Sequence, residues 1–133
     1  MKTIIASGPV IIENGKLLVS RDFKDDFYKL PGGRVKIGKE SLEHACKRRV
    51  KEEVNGDIEI LKPLYPQVLW KNPTTKRKMI IILINYLARL KNKSKLKPGE
   101  GIKEIKWIDI KQAGKYRLSP NTKFTLKAMR RLK

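Results

Sequence analysis

Apolar positions recur along the chain with two different periods. Thr3 to Ile12 and Leu17 to Arg21 are apolar and rich in β-branched residues, and Glu13-Asn14-Gly15-Lys16 separates them. Asn-Gly tolerates the positive φ of a tight turn, so the two runs predict a β-hairpin. Asp22 to Lys29 is charged, with Phe23, Phe27 and Tyr28 interleaved. It reads as a surface loop whose rings either stack on a base or pack against a sheet. Leu30-Pro31-Gly32-Gly33 follows, and beyond it the period lengthens. At about 100° per residue, Leu42, Ala45, Cys46, Val50 and Val54 share one helical face. Ser41 is suited to cap that helix, because its hydroxyl accepts an orphan backbone N–H. Asn55-Gly56 is suited to end it, because both residues tolerate the left-handed conformation.

Downstream, Asp57 to Leu61 alternates and predicts a short strand. Lys62 to Pro73 carries Pro63, Pro66 and Pro73 among apolar residues, which predicts an edge strand and loop. Lys78 to Leu90 contains the unbroken run Met79 to Ile84 and predicts a central strand buried on both faces. Lys91 to Gly101 reads as a basic loop, and Ile102 to Ile108 as a strand. Ser119-Pro120 starts a C-terminal helix, with Phe124, Ala128, Met129 and Leu132 to pack it down. Strands before, between and after two helices predict an α/β fold, an α/β/α sandwich with a mixed sheet between helices. The length of 133 residues suits one domain with a proper core.

Composition adds a compartment and a field. The single cysteine, Cys46, excludes an internal disulfide and fits a reducing cytosol. No small-residue cleavage site marks a signal peptide, and the longest strictly apolar run is too short to span a bilayer. The expectation is a cytoplasmic protein that does not enter a membrane. The formal net charge is +19, from 32 Lys+Arg against 13 Asp+Glu. Such a field attracts polyanions, nucleotides and nucleic acid among them. Lysines spread along the whole chain equally suit a solvated surface shaped by codon bias. Two denser clusters stand out, Lys91 to Lys97 and Lys127 to Lys133 with Arg130 and Arg131. The oligomeric state is left open, a homodimer included.

Candidate chemistry centres on one carboxylate. Glu53 falls near the middle of the helix's apolar face, with Arg49 one turn earlier and Glu52 at the margin. Burying a carboxylate without a partner is costly. A metal ion or Arg49 itself must answer Glu53, and the residues alone leave both open.

The stretch GGRVKIGKESLEHACKRRVKEEVNG, Gly32 to Gly56, resembles the Nudix box, G-x5-E-x7-R-E-U-x-E-E-x-G-U with U aliphatic. Anchored on Glu52-Glu53, Arg48 matches the box arginine, Val50 the aliphatic position and Glu40 the upstream glutamate. Three departures stand out: one extra residue between Gly33 and Glu40, Asn55 in place of a glycine, and Arg49 in place of the first helical glutamate. The resemblance covers nearly the whole chain, through the long central strand to Glu104 and Trp107. It implies a Nudix fold and a Mg²⁺-dependent (or Mn²⁺-dependent) hydrolase. The substrate implied is a nucleoside diphosphate derivative such as ADP-ribose, or a nucleoside triphosphate. Pro73 lies near a proline that ADP-ribose pyrophosphatases of this family carry. The alternative is a Nudix-fold protein that binds nucleotide or RNA with little or no hydrolysis.

The same resemblance implies roles for particular residues. Glu52 and Glu53 are the primary metal carboxylates and catalytic groups, Gly33 offers a backbone carbonyl to the metal, and Glu100 or Glu104 completes the set by binding metal or activating water. Glu40 supports the loop and helix through Arg48. Apart from the resemblance, Arg34, in the loop after the glycines, is placed either to contact substrate phosphate or to be surface charge, and Arg49 either holds Glu53 or swings toward substrate phosphate. His44, the one histidine, falls on the polar side of the helix and reads as a surface residue.

Overall fold

The computed structural model describes residues 1–91 and 95–131, with the side chains of the last helix described through residue 129. Parts of both basic clusters, at 92–94 and beyond 129, and the expected packing of Leu132 therefore lie outside the described residues. In chain order the elements are β1 (Thr3–Glu13), β2 (Lys16–Asp22), β3 (Gly33–Arg34), α1 (Leu42–Val54), β4 (Ile58–Pro63), β5 (Gln67–Lys71), β6 (Lys78–Leu90), β7 (Ile102–Asp109) and α2 (Pro120–Arg131). A 3-10 turn, Ile110–Lys115, joins β7 to the segment before α2.

The strands form one mixed sheet in the order β4-β6-β1-β2-β7, with β3 beside β1 and β5 beside β6. β1 and β6 run parallel, and the other pairings are antiparallel. Asn14 and Gly15 both take positive φ, 52° and 74°, at the turn between β1 and β2. Alternate residues of these strands face opposite sides. Ile11 and Leu18 pack with Cys46, Val50 and Val54 of α1. Val10, Leu17 and Val19 pack on the other side with Leu126 of α2. The two helices therefore cover opposite faces, and the α/β/α sandwich follows from the period of two in the hairpin.

β1 changes partner part-way along on its outer side. Its first half pairs with β3, Ser7 opposite Gly33, and its end pairs with β2, Ile12 opposite Leu17. Gly8 lies in between, and a Cβ there would stand 2.1 Å from the Pro31 carbonyl oxygen. The Pro31–Gly33 loop thus rests directly on the β1 backbone.

β6 is central and has buried residues on both faces, Ile81 and Asn85 toward the α2 side and Tyr86, Ala88 and Leu90 toward α1, with Ile80, Ile82, Leu83 and Ile84 half-buried. One expectation is corrected by packing. Phe124 does not pack α2 onto the sheet and is 36% exposed. The helix instead buries Thr122, Thr125 and Leu126, with Met129 packed partly beneath, an i, i+3, i+4, i+7 set. Ser119 Oγ accepts from the Thr122 backbone N–H at 3.2 Å and fixes that rotation.

Candidate active site

The site is built where the loop carrying Gly32 and Gly33 meets the last two turns of α1. Local chemistry sets the helix. Ser41, in an extended conformation, accepts the His44 backbone N–H at 3.0 Å, and Asn55 ends the helix at φ 58° in the left-handed region. Glu40 and Arg48 tie the loop to the helix. Arg48 Nε and Nη2 donate to Glu40 at 2.9 and 2.8 Å, and Nη2 also reaches the Arg34 carbonyl at 3.0 Å. The Lys36 backbone N–H adds a bond at 2.8 Å. The guanidinium and that N–H hold the Glu40 carboxyl far below the usual carboxylate range. His44 is exposed, with Nδ1 3.1 Å from Glu40.

Glu53 is buried at the centre, its side chain 7% exposed. Oε1 accepts the Gly32 backbone N–H at 2.9 Å, and Oε2 accepts Arg49 Nη2 at 2.9 Å. Lys29 Nζ stands 3.8 Å from Oε2 and 3.3 Å from Asp22 Oδ2. Burial pushes the Glu53 carboxyl up, against the pull of Lys29, Gly32 and Arg49. Glu52, 47% exposed, accepts Arg49 Nη1 at 3.0 Å and Arg48 Nη1 at 3.0 and 3.1 Å. One guanidinium, Arg49, therefore holds both glutamates.

Gly33 sits against that guanidinium. A Cβ on Gly33 would lie 2.3 Å from Arg49 Nε and 2.6 Å from Cζ. Only a residue without a side chain leaves Arg49 this position.

Glu100 and Glu104, the other expected residues, have different surroundings. Glu100 is exposed in the turn before β7, where the neighbouring Gly99 N–H donates to the Glu53 backbone carbonyl at 2.8 Å. Glu104, on β7 opposite Arg21 of β2, accepts from Arg21 at 2.8 and 3.0 Å and from the Tyr28 hydroxyl at 2.9 Å. Those bonds depress its carboxyl and tie it into the sheet. Among the described residues, no three acidic, histidine or cysteine side chains gather as a cation site.

The divalent cation implied by the resemblance does not fit this donor set. Hard cations need free oxygen ligands. All four oxygens of Glu52 and Glu53 already accept hydrogen bonds, three of them from guanidinium groups. The approach to Gly33 is covered by a cation.

A cavity of about 220 Å³ opens beside this cluster on the α2 face. Its floor is made by paired positions of the parallel strands, Ile4 with Ile81, Ala6 with Leu83 and Gly8 with Asn85. Small residues on β1 make the floor concave. Asn121 lines one wall, and its buried side-chain oxygen has no partner among the described residues. Its charged lining residues are Lys29, Arg34, Asp22 and Asp25.

Asp22 and Lys29 were not singled out by motif. Their convergence depends on the end of β2 and on the bridge that sets Lys29 beside Ser20. An acidic strand end and a lysine just before the glycines were the visible signals.

The family model described as NUDIX domain matches residues 2–132. The chain belongs to the NUDIX family. No curated protein matches it. Solved NUDIX folds are similar throughout. The MutT NUDIX hydrolase from Burkholderia pseudomallei is 17% identical, with 96% of this chain and 98% of that one covered at a TM-score of 0.78. An Ap4A hydrolase from C. elegans is 19% identical, with 97% and 96% covered and a TM-score of 0.76. A bifunctional NMN adenylyltransferase/ADP ribose pyrophosphatase from Francisella tularensis, complexed with AMP and a Mn ion, is 17% identical. There 97% of this chain and 42% of that one are covered, at a TM-score of 0.68. At these identities the likeness shows the NUDIX fold. Among the described residues, no helix is long and apolar enough to cross a membrane.

Proposed function

We propose that this NUDIX protein takes up a nucleoside di- or triphosphate, or a nucleoside diphosphate joined to a second group as in ADP-ribose, and slowly hydrolyses its pyrophosphate bond. The cavity over β1 and β6 carries this reading. Its floor is mostly apolar, Asn121 offers an amide oxygen with no partner among the described residues, and Lys29 and Arg34 line it as cations, Lys29 already facing Asp22 and Asp25 also in the lining. A base has apolar faces and an edge of N–H donors, and an N–H placed at Asn121 answers a buried acceptor. Phosphates carry the charge at the other end, so a nucleotide matches the gradient along the cavity. The similar proteins named for Ap4A hydrolysis and for ADP-ribose pyrophosphatase activity act on ligands of this class.

In the reaction, a water oxygen bonds to one phosphorus, the bond to the bridging oxygen breaks, and the leaving phosphate keeps the electron pair. The water proton passes to solvent or to a carboxylate. Arg34 and Arg49 offset charge on the phosphates, as positioned cations do in phosphoryl transfer. Glu53 and Glu52 hold Arg49 in place, and those bonds make them poor proton acceptors. The slow rate follows. Glu100 and Glu104 take no part in this reading.

A second reading, nucleotide or RNA binding without turnover, is favoured by the same Arg49 bonds. Phosphate release from ADP-ribose and nucleoside triphosphates, measured beside equilibrium binding, separates the two. Slow release from any of them supports hydrolysis. Binding without release replaces it with the second reading, and no binding at all contradicts both.

A further inference from the structure

We infer that the Arg49 guanidinium is the resident cation of this site, standing where a divalent ion would bridge Glu52, Glu53 and the glycine loop, so that nucleotide phosphate is held without a metal ion. The inference rests on the nucleotide reading for its ligand, and on Arg49 alone for its exclusion of metal.

The geometry is that of a fork. Nη1 takes Glu52 at 3.0 Å and Nη2 takes Glu53 at 2.9 Å. An arginine has five N–H donors, and these bonds use two of them. The Nε donor is buried with no partner among the described residues, beside Gly33. Arg49 does not itself line the cavity, but its side chain is 30% exposed and each Nη nitrogen keeps a further N–H for a phosphate that reaches past Gly33 and Arg34, which do line it.

Charge points the same way. Arg49 cannot lose its proton at any relevant pH. Lys29 adds a second cation 3.8 Å from Glu53, and Arg48 a second one at Glu52. A divalent ion entering here meets glutamates that are already neutralised and cations at contact distance. A phosphate meets the reverse at Arg49, because the two glutamates have been answered; in the cavity beside it Lys29 answers Asp22, and Arg34 stands with Asp25 in the same lining.

The same replacement explains why Gly33 has no role for its carbonyl. The guanidinium lies against this residue, and a side chain on it would collide with Nε, Cζ and Nη2, the last at 2.5 Å. The glycine serves the arginine.

The test is calorimetric titration of ADP into the whole chain, in EDTA and in excess Mg²⁺, on the wild type, Arg49→Gln and Arg49→Glu. In parallel, Mn²⁺ binding without nucleotide is read by electron paramagnetic resonance, and thermal unfolding is followed with and without Mn²⁺. The wild type is expected to bind ADP in EDTA within about threefold of its affinity in Mg²⁺, and to bind no Mn²⁺. Arg49→Gln, which stays close in shape, is expected to lose about tenfold in EDTA, the order of one charge-assisted hydrogen bond. Arg49→Glu is expected to lose ADP binding in EDTA, to gain Mn²⁺ binding, and to unfold at higher temperature when Mn²⁺ is present. Mn²⁺ binding by the wild type, or ADP binding by the wild type only in Mg²⁺, overturns the inference. Should the wild type bind ADP in neither condition, the nucleotide reading falls, and the Mn²⁺ measurements decide the role of Arg49 by themselves.

Discussion

Arg49 Nη2 lies 2.9 Å from Glu53 Oε2, and that bond joins the helix carboxylate that most needs a cation to one on the preceding turn. The order, cation before anion at i, i+4, is the less favourable one in an isolated helix. It holds here because Glu53 is 7% exposed and Gly32 and Lys29 complete its surroundings.

Carboxylates gathered to hold a metal repel one another without it, so removing one stabilises the metal-free protein. This pair is predicted to behave in the opposite way. Glu53→Ala should destabilise the protein in EDTA by about 2–3 kcal/mol, because it strips a buried charge-assisted set. Glu52→Ala, at a side chain 47% exposed, should cost about 1 kcal/mol or less. Urea unfolding of both variants measures this, and stabilisation by Glu53→Ala would count against the Arg49 account.

The two loop glycines should respond differently to alanine. Gly32 has φ 137°, and a Cβ there would sit 2.5 Å from the Ser7 carbonyl oxygen and 2.6 Å from Gly8 Cα, all backbone. Gly32→Ala is predicted to cost about 2 kcal/mol or more. At Gly33 the obstacle is the far end of Arg49, a flexible side chain. Gly33→Ala should unfold nearer the wild-type temperature while binding ADP more weakly, because the guanidinium is displaced. Thermal unfolding together with ADP titration checks both halves.

Acid should weaken the loop through Glu40. Its carboxyl is held far below its unfolded value of about 4.3 by Arg48 and the Lys36 N–H. A depressed carboxyl contributes stability that is fully present above the unfolded value and is lost as pH falls toward the folded one. Glu104, depressed by Arg21 and Tyr28, acts in the same direction. Unfolding free energy should therefore fall as pH drops below about 4, and less steeply in Glu40→Gln. Equal slopes in the two proteins would remove Glu40 from the account.

Cys46 should be inert in the folded protein. It is fully buried beneath α1, and burial pushes its thiol up to about 12. Thiolate is the reactive form, so a thiol reagent should label Cys46 only as fast as the protein opens. Rapid labelling of the native protein at neutral pH would contradict this placement.

What the sequence disclosed was mostly local. The hairpin turn, the Ser41 cap, the Asn55 end and the face of α1 depend on neighbours within a few residues. So do the Arg49 contacts at i+3 and i+4, and the ambiguity at Glu53 was visible from spacing alone. The cavity was hidden because its floor needs the parallel register of β1 on β6, Ala6 against Leu83, between residues far apart in the chain. The same distance concealed the tie from Glu104 to Arg21 and Tyr28. Lys29 and Asp22 reach Glu53 only after the bridge at Ser20 is in place. On α2, polar Thr122 and Thr125 are buried while Phe124, apolar and large, is 36% exposed, because the rotation of the helix is set by its contacts with the sheet and not by residue type alone.

The central claim is that phosphate meets Arg49 with no metal between them. Side-chain nitrogen NMR of the arginine Nε–H groups reads this contact directly, with the Arg49 resonance assigned by its absence from Arg49→Lys. Addition of ADP in EDTA should shift the Arg49 Nε–H resonance and slow its exchange with water, and Mg²⁺ alone should leave it unchanged. A resonance that moves with Mg²⁺ alone, or that stays fixed while ADP binds, would contradict the claim.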